Sequence, residues 1–299
     1  MTNRLSEPVE RPRRQDTVLT IAVWDVKRMP EGPEIRLAAD KVARVLVGHD
    51  IVEAEFYLGR LSRFEKRLAG SAVTAVETRG KAMLTRFDNG LTLYSHNQLY
   101  GKWFTMRRPR LPKTTRQLRV GLHTQTHSAL LYSASDIEVL TEQGLKKHPF
   151  LCRVGPDILD PQLTTDGIVD RLESATFRNR ALGGLYLDQA FLAGIGNYLR
   201  SEILWAAGVD PKLKPSQLDT VELQAMAKET LAISRRSYRT RGVTTPPKQA
   251  KERKALGMSY GQYRFQVFGR EGLDCYACGT TIERHTLGSR NLFVCPGCQ

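Results

Sequence analysis

Residues 275–298 read CYACGTTIERHTLGSRNLFVCPGC and carry four cysteines in two Cys-x-x-Cys pairs. Cys275 and Cys278 form the first pair, Cys295 and Cys298 form the second, and sixteen residues lie between the pairs. Two tight turns at this spacing can present four thiolates tetrahedrally to one zinc ion. The stretch therefore predicts a C-terminal zinc finger with one structural zinc ion, because four protein ligands leave no position for water. The finger either contacts nucleic acid or only staples the terminus, and the two roles are compatible.

The composition favours a protein that binds nucleic acid inside a cell. The 299 residues include 45 Lys and Arg against 31 Asp and Glu, which gives a formal net charge of +14. Four thiolates around a divalent ion subtract two charges, and a cation of the remaining size is attracted to a polyanion. The fifth cysteine, Cys152, has no disulfide partner left, which fits a reducing, cytoplasmic compartment. No apolar run is long enough to span a bilayer, so no membrane partner is expected.

The pattern of the chain changes at Met29. Residues 1–28 are polar and lack a period, whereas apolar residues from Ile35 to Leu46 recur every three or four positions and predict an amphipathic helix. Prolines between 149 and 161 indicate a linker, and helical patterns run from about 164 to 237. The β-rich stretches between the first helix and the linker predict a sheet sandwich; they are residues 51–58, 72–78, 82–87, 91–95, 117–123 and 128–132.

Five segments together resemble one protein family. They are MPEGPEI at 29–35, RGKA at 79–82, SHNQLYG at 95–101, LDQAFLAGIGNY at 187–198 and CPGCQ at 295–299. The combination is similar to the formamidopyrimidine-DNA glycosylase and endonuclease VIII family, and the likeness runs from Met29 to Gln299. The triplet Gln98-Leu99-Tyr100 and the context of Lys81 resemble the bacterial endonuclease VIII branch, which removes oxidised pyrimidines, more than the purine-directed branch.

The resemblance implies an α+β multidomain fold that acts as a monomer on damaged double-stranded DNA. It implies a β-sandwich flanked by helices, a helical domain with a helix-two-turns-helix motif, and the zinc-finger hairpin. The expected divisions are an extension at 1–29, a catalytic sandwich domain at 30–152, a linker at 153–162, a DNA-binding helical domain at 163–260 and a finger at 261–299. The implied activity is that of a bifunctional glycosylase and lyase of base excision repair.

Pro30 is the candidate nucleophile. A proline at a chain start is a secondary amine, and an amine that attacks C1′ of a sugar can displace a base and leave an iminium that promotes strand cleavage. The alternative is that Pro30 only occupies the first turn of a helix. Glu31 is placed to protonate the sugar ring oxygen, or it is only a carboxylate that favours the helix dipole.

If the working chain begins at Met1, Pro30 cannot be this nucleophile. Its nitrogen would be a tertiary amide whose lone pair is delocalised into the carbonyl. We therefore expect that Met29 is the true start or that the leader is removed.

The resemblance assigns two further catalytic residues. Lys81 follows Gly80 and resembles the lysine that assists β-elimination, although a lysine after glycine is often a solvated turn residue. Arg290 lies in the stretch 288–291, a plausible hairpin turn, and resembles the arginine that grips phosphate and supports δ-elimination.

The DNA-binding assignments also rest on the resemblance. Gln98, Leu99 and Tyr100 are expected to form a wedge that fills the space left by an extruded nucleotide, or they form an ordinary strand end. Asn197, together with the backbone amides at the start of its helix, is expected to seat a phosphate, and Arg153 is expected to contact another.

Two rival functions remain open. One is an oxidised-purine glycosylase of the same family, and the other is a catalytically silent zinc-containing DNA-binding protein, which a retained leader would favour. A basic run is expected in a loop without an assigned role; it comprises Arg235, Arg236, Arg239 and Arg241.

Overall fold

The structure is a computed structural model that describes residues 30–287 and 289–299. The predicted extension at 1–29 lies outside the described residues. The α-helices are α1 (Gly32–Leu46), α2 (Glu65–Leu68), α3 (Glu142–Lys147), α4 (Thr165–Glu173), α5 (Leu182–Leu185), α6 (Asn197–Ala207), α7 (Thr220–Arg239), α8 (Pro247–Ala255) and α9 (Tyr260–Tyr263), and short 3-10 helices span Gly59–Phe64 and Pro215–Gln217. The strands are β1 (Glu53–Phe56), β2 (Val73–Arg79), β3 (Ala82–Phe87), β4 (Leu91–His96), β5 (Lys102–Arg107), β6 (Leu118–His123), β7 (His127–Tyr132), β8 (Asp136–Thr141), β9 (Glu283–Leu287) and β10 (Arg290–Val294).

The first half of the molecule is a sandwich of two antiparallel sheets. One sheet has the strand order β2-β3-β4-β8 and the other has the order β1-β6-β7-β5. Their apolar side chains share one core with α1, whose buried face contains Ala39, Val42 and Leu46 at the predicted helical spacing. Two strands of the sandwich, β5 and β8, were not predicted. Lys102 and Arg107 bound β5, and Asp136 and Glu138 occupy β8, so neither strand shows the apolar run on which the prediction relied.

The second half is helical, and the terminal hairpin is part of its core. Leu199 of α6, Met226 of α7 and Phe293 of β10 belong to one buried apolar cluster. A buried carboxylate supports this arrangement, because Glu202 accepts hydrogen bonds from the backbone N–H groups of residues 266–268, at 2.9 to 3.1 Å, and from the hydroxyl of Thr244 at 2.6 Å. The predicted α+β class, with a sandwich, a helical part and a terminal hairpin, is confirmed.

Backbone hydrogen bonds join the two halves next to α1. Gly32 N–H, in the sandwich half, donates to the carbonyl of Gly194 at 2.8 Å, whereas Gly155 N–H, in the segment that connects the halves, donates to the carbonyl of Gln189 in the helical half at 2.8 Å. The hydroxyl of Tyr238 in α7 donates to Asp40 in α1 at 2.6 Å. The N-terminal end of α1 is thereby held against the loop that precedes α6. Within the described residues, no helix has the length and apolar content required to cross a membrane.

Replacement of Gly155 by alanine should destabilise this junction. A Cβ atom at Gly155 would lie 2.5 Å from the carbonyl oxygen of Ala190, and relief of such an overlap costs about 1 to 3 kcal/mol. Chemical denaturation of Gly155→Ala should show that loss. The matched control is Gly184→Ala in α5, where an added Cβ meets nothing within 4 Å, so the free energy of unfolding should be unchanged or slightly higher. Equal behaviour of the two variants would contradict the close packing at Gly155.

Candidate active site

Pro30 and Glu31 enter α1 at the junction of the two halves. Pro30 is half-buried, while Glu31 is the N-cap of α1 and only 3% exposed. The N–H of Glu31 donates to the carboxylate of Glu34 at 3.2 Å, one turn along the helix. This bond fixes the backbone of Glu31, so the direction of its side chain is set by the start of α1.

The Glu31 carboxylate occupies the start of α6. It accepts hydrogen bonds from the N–H groups of Gly196 and Tyr198, both at 2.8 Å, and of Leu199 at 3.3 Å. A Cβ atom at Gly196 would lie 2.4 Å from the Glu31 carboxyl carbon, so only glycine leaves room for this contact. The sequence predicted that backbone amides here would bind a phosphate of DNA. That prediction is wrong for these three amides, because a carboxylate of the protein already accepts their hydrogen bonds.

The environment of Glu31 favours its protonated form near neutral pH. Burial raises the pKa of Glu31 to about 7, although the charge of Lys81 and the N–H groups of Tyr198 and Leu199 act to lower it. Burial also raises the pKa of Glu34, which receives hydrogen bonds from the Tyr198 hydroxyl at 2.9 Å and from Arg264 at 3.2 Å. A carboxyl group with a pKa near the working pH can both donate and recover a proton.

Lys81 reaches this region from the turn between β2 and β3. Gly80 has a positive φ of 60°, and its N–H donates to the buried carboxylate of Asp157 at 2.7 Å. The turn is therefore tied to the predicted linker, in which Asp157 lies. Burial lowers the pKa of Lys81, the charge of Glu31 raises it, and the charge of Arg290 lowers it further. A Cβ atom at Gly80 would lie 3.0 Å from the nitrogen of Gly194, whose carbonyl accepts the N–H of Gly32, so the turn that carries Lys81 lies beside the start of α1.

Arg290 begins β10, beside the hairpin turn rather than within it. The next residue, Asn291, accepts a hydrogen bond through its carbonyl from Arg200 at 2.9 Å, and Arg200 also donates to the carbonyl of Gly183 at 2.7 Å. Arg200 is fully buried in α6, and burial lowers its pKa to about 10. It holds the finger against the same helix whose start binds Glu31. Sequence reasoning missed Arg200, because with Ser201 and Glu202 beside it in α6 the residue has the pattern of an exposed helix face.

The predicted wedge lies in the connection between β4 and β5. Gln98 has a positive φ of 49°, and its side-chain oxygen accepts a hydrogen bond from Ser135 at 2.9 Å. Leu99 and Tyr100 are 38% and 51% exposed, and Arg116 donates to the carbonyl of Tyr100. A cavity of about 390 Å³ adjoins the loop, and its lining includes Pro30, Glu34, Leu99 and Tyr100. The exposed apolar side chains and Pro30 thus share one recess.

The two other predicted DNA contacts differ in position. Asn197 is the first residue of α6, between the glycine and the tyrosine whose N–H groups bind Glu31. Arg153 lies exposed after α3, and its Nε donates to the carbonyl of Pro149 at 2.9 Å. The structure therefore places Asn197 with the catalytic candidates. Within residues 30–287 and 289–299, no hydrogen bond joins Arg153 to these candidates.

The basic run does not form a loop. Arg235, Arg236 and Arg239 belong to α7, and only Arg241 follows it. Arg235 donates to the carbonyl of Leu163 at 3.1 Å, and Arg236 donates to the carbonyl of Thr244 at 2.6 Å. The expectation of a loop is wrong, because small residues such as Ser237 continue the buried face of the helix.

The four cysteines of the terminal hairpin form a candidate metal centre. All four sulfur atoms lie within 4.8 Å of one another, and three of the pairs are separated by 3.3 to 3.8 Å. Tetrahedral zinc with Zn–S bonds of about 2.3 Å places its sulfurs about 3.8 Å apart. The cluster could therefore hold one metal ion with four protein ligands. The remaining cysteine, Cys152, is exposed and donates to the carbonyl of Lys146.

Comparisons with known proteins agree with this geometry. Residues 29–135 match the model of the formamidopyrimidine-DNA glycosylase N-terminal domain, and residues 154–247 match that of the formamidopyrimidine-DNA glycosylase H2TH domain. Endonuclease 8 of Escherichia coli O17:K52:H18 (strain UMN026 / ExPEC) is 52% identical over 271 residues, which are 91% of this chain and 100% of that protein. Endonuclease 8 of Salmonella agona (strain SL483) gives the same identity and coverage.

Solved structures share the fold. MutM in complex with DNA containing carbocyclic 8-oxo-G has a TM-score of 0.73 at 19% identity, and the likeness covers 90% of this chain and 99% of that one. Lactococcus lactis Fpg in complex with DNA containing an abasic site has a TM-score of 0.73 at 21% identity, with the same coverage. At these identities the likeness concerns the fold alone.

The titration of Glu31 can be measured directly. Carbon NMR of protein labelled at glutamate carboxyl groups should show one carboxyl whose titration has its midpoint at about pH 7. The loss of this signal in Glu31→Gln would assign it to Glu31. In Lys81→Met the midpoint should move higher, because the cation that lowers the pKa of Glu31 is removed while the aliphatic bulk is kept. A midpoint near the ordinary 4.5, or a downward move in Lys81→Met, would refute the described electrostatics.

Proposed function

This chain belongs to the formamidopyrimidine-DNA glycosylase family, and we propose that within it the chain removes oxidised pyrimidines from double-stranded DNA, through a covalent intermediate at Pro30. The chain is a DNA glycosylase and AP lyase of base excision repair, like its endonuclease 8 relatives. The proposal concerns the base that is removed and the residues that remove it. The observation that carries the residue roles is the buried Glu31, with a raised pKa, next to Pro30 and within the charge field of Lys81. The 52% identity to endonuclease 8 supports the preference for pyrimidines.

The first step uses the nitrogen of Pro30. In a chain that begins at Pro30, this nitrogen is a secondary amine with a free electron pair. The pair forms a bond to C1′ of the damaged nucleotide, and the base leaves with the electrons of its bond to the sugar. The proline nitrogen then releases its proton, which can be taken up by the departed base, and opening of the sugar ring produces an iminium between this nitrogen and C1′. A peptide bond to Met29 would remove the reactive electron pair, so a free Pro30 is a requirement of this mechanism.

Glu31 supplies the proton for ring opening. The ring oxygen becomes negatively charged as its bond to C1′ breaks, and protonation of this oxygen by a neutral carboxyl group prevents that charge from developing. General acid assistance of this kind contributes about 10² to 10⁴ in rate. The raised pKa of Glu31 supports this role, because a carboxyl with an ordinary pKa would be ionised at neutral pH. The hydrogen bonds from the start of α6 then stabilise the carboxylate after the proton has left.

Lys81 and Arg290 assist the elimination steps. Loss of a proton from C2′ of the iminium breaks the 3′ C–O bond in β-elimination, and a second elimination breaks the 5′ C–O bond. Lys81 has a lowered pKa, so its neutral fraction can accept a proton. The guanidinium group of Arg290, whose charge lowers the pKa of Lys81, can donate two parallel hydrogen bonds to the departing phosphate. Asn197 and Arg153 are the proposed contacts to flanking phosphates.

The exposed loop after β4 replaces the extruded nucleotide. Chemistry at C1′ requires the nucleotide to leave the stack, which costs a few kcal/mol. Gln98, Leu99 and Tyr100 offer an amide, an aliphatic and an aromatic group to the space that remains. The hydrogen bond from Ser135 to Gln98 and the contact of Arg116 with Tyr100 support a loop that is held in shape before DNA binds.

We propose a single zinc ion in the terminal hairpin and action as a monomer. The hairpin offers four sulfur ligands, and the distances between the sulfur atoms suit zinc. These ligands belong to Cys275, Cys278, Cys295 and Cys298. With four protein ligands, the ion would supply folding energy to the finger that carries Arg290. It would have no open position for a substrate or a water molecule.

Borohydride trapping tests the nucleophile and the lesion preference together. Protein that begins at Pro30 should become covalently attached to a duplex with an oxidised pyrimidine when borohydride reduces the iminium, and should be trapped less on a matched duplex with an oxidised purine. The same protein with residues 1–29 retained is the control and should not be trapped. Equal trapping of both proteins would exclude Pro30 as the nucleophile, preferential trapping on the purine would favour the rival specificity, and no trapping would favour a silent DNA-binding protein.

Metal content tests the finger. Native mass spectrometry should find one zinc ion in the parent protein and in Cys152→Ser, which removes the exposed cysteine outside the cluster. Cys298→Ser should lose the ion and show a lower melting temperature, because the folding energy supplied by the metal is lost. Retention of zinc in Cys298→Ser would contradict the proposed ligand set.

A further inference from the structure

The segment between α7 and the finger begins and ends beside the candidate active site. Arg264 donates to the carbonyl of Gly242 and, at 3.2 Å, to Glu34. The N–H of Thr244 donates to the carbonyl of Arg264 at 3.0 Å. These bonds bring the two ends of the segment together next to the carboxylate that binds the backbone of Glu31. We call the place where residues 242–245 meet Arg264 the neck of the segment. Helix α8 begins only two residues after Thr245, so the start of α8 lies within about 7 Å of the neck.

A pair of stacked arginines holds α8 on the finger. Arg253 of α8 is 8% exposed, and its guanidinium carbon lies 3.5 Å from the ring centroid of Tyr276, while that of Arg270 lies 3.3 Å from the same centroid. Two guanidinium groups this close to one centroid must occupy opposite faces of the ring. Arg253 also donates to Gln266 at 2.9 Å, and the attraction between each guanidinium and the face of the ring stabilises this packing. The orientation of α8 is therefore set by the finger.

The remainder of α8 faces solvent and is basic. Its buried residues are Ala250 and Arg253, whereas Lys248, Lys251 and Lys254 are exposed. No ion pair with a carboxylate is found for these three lysines in the parts of the chain that the structure describes, and Lys254 rests over the ring of Tyr263 at 4.6 Å. A helix of nine residues is about 13 Å long. All three lysines therefore lie closer to the neck than the length of one turn of a DNA helix, which is about 34 Å.

We propose that α8 is a contact surface for the phosphate backbone of the DNA substrate. Lysines are compact charges on flexible stems and suit backbone phosphates better than base edges. All three lysines lie beyond residue 247, where the match to the H2TH domain model ends, so that domain model does not describe this surface. The choice of DNA as the partner rests on the proposed function. The surface on α8 adds to that function a binding element that takes no part in the chemistry.

The salt dependence of binding tests this surface. Binding of the full chain to a duplex with a tetrahydrofuran site, which cannot lose a base, is followed by fluorescence anisotropy over a range of salt concentrations. For each lysine that neutralises a phosphate, the slope of log K against log salt should be smaller by about 0.9 in Lys248→Gln/Lys251→Gln/Lys254→Gln, hence by up to about 2.7 in total. The parent slope in this variant would overturn the proposal.

A matched variant removes the same charge elsewhere. Arg63 lies in the 3-10 helix Gly59–Phe64, and Lys66 and Arg67 lie in α2. Both helices pack near β1, at the opposite edge of its sheet from β5, the strand that follows the wedge loop. Triple replacement of Arg63, Lys66 and Arg67 by glutamine should leave the slope at the parent value, whereas an equal decrease in both variants would indicate only a net-charge effect and refute a contact at α8. The measurement needs no iminium, so failure of borohydride trapping and failure of this inference are separate results.

Discussion

The hydrogen bonds between the Glu31 carboxylate and the start of α6 are the constraint on which the arrangement of the site depends. The carboxylate comes from the sandwich half and the N–H groups come from the helical half. One buried group thus joins the halves and stands beside Pro30. Because burial, rather than a neighbouring anion, is the main cause of its raised pKa, the property needed for proton donation follows from the packing of the two halves.

The finger is attached to the same helix by a second set of buried charges. Arg200 donates to the carbonyls of Gly183 and Asn291, and Glu202, two residues further along α6, accepts the N–H groups of residues 266–268. Helix α6 therefore binds Glu31 at its start, and through Arg200 and Glu202 it holds the finger that carries Arg290. The same helix thus positions Glu31 and the strand that carries Arg290.

Local patterns in the sequence predicted much of this architecture. The apolar spacing of α1, six of the sandwich strands and the cysteine spacing are each visible within short windows, because they depend on neighbours along the chain. The roles of Pro30, Lys81 and Arg290 came from resemblance, since a proline before a helix or a lysine after a glycine has ordinary structural explanations. These roles stay predictions until the trapping experiments are made.

The features that the sequence did not predict depend on distant partners. Arg200 and Glu202 look like surface residues until the carbonyls and N–H groups that surround them are known, because a buried charge is recognisable only by its partners. The same holds for the amides at the start of α6, which seemed available to a phosphate until Glu31, more than 160 residues earlier, was found among them. The arginines at the end of α7 were assigned to a loop, although a helical pattern was predicted to about 237, because the buried serines of that stretch carry no apolar signal.

The close approach of Glu31 to Gly196 has a consequence for the variation that the chain can accept. A side chain at position 196 would collide with the glutamate, and a shorter acid at position 31 would withdraw from the amides and leave a gap behind it. A substitution at position 196 can therefore be accommodated only together with a change at position 31. Homologues that place a larger residue at position 196 are expected to have altered position 31 as well, and with it the bond that joins their two halves.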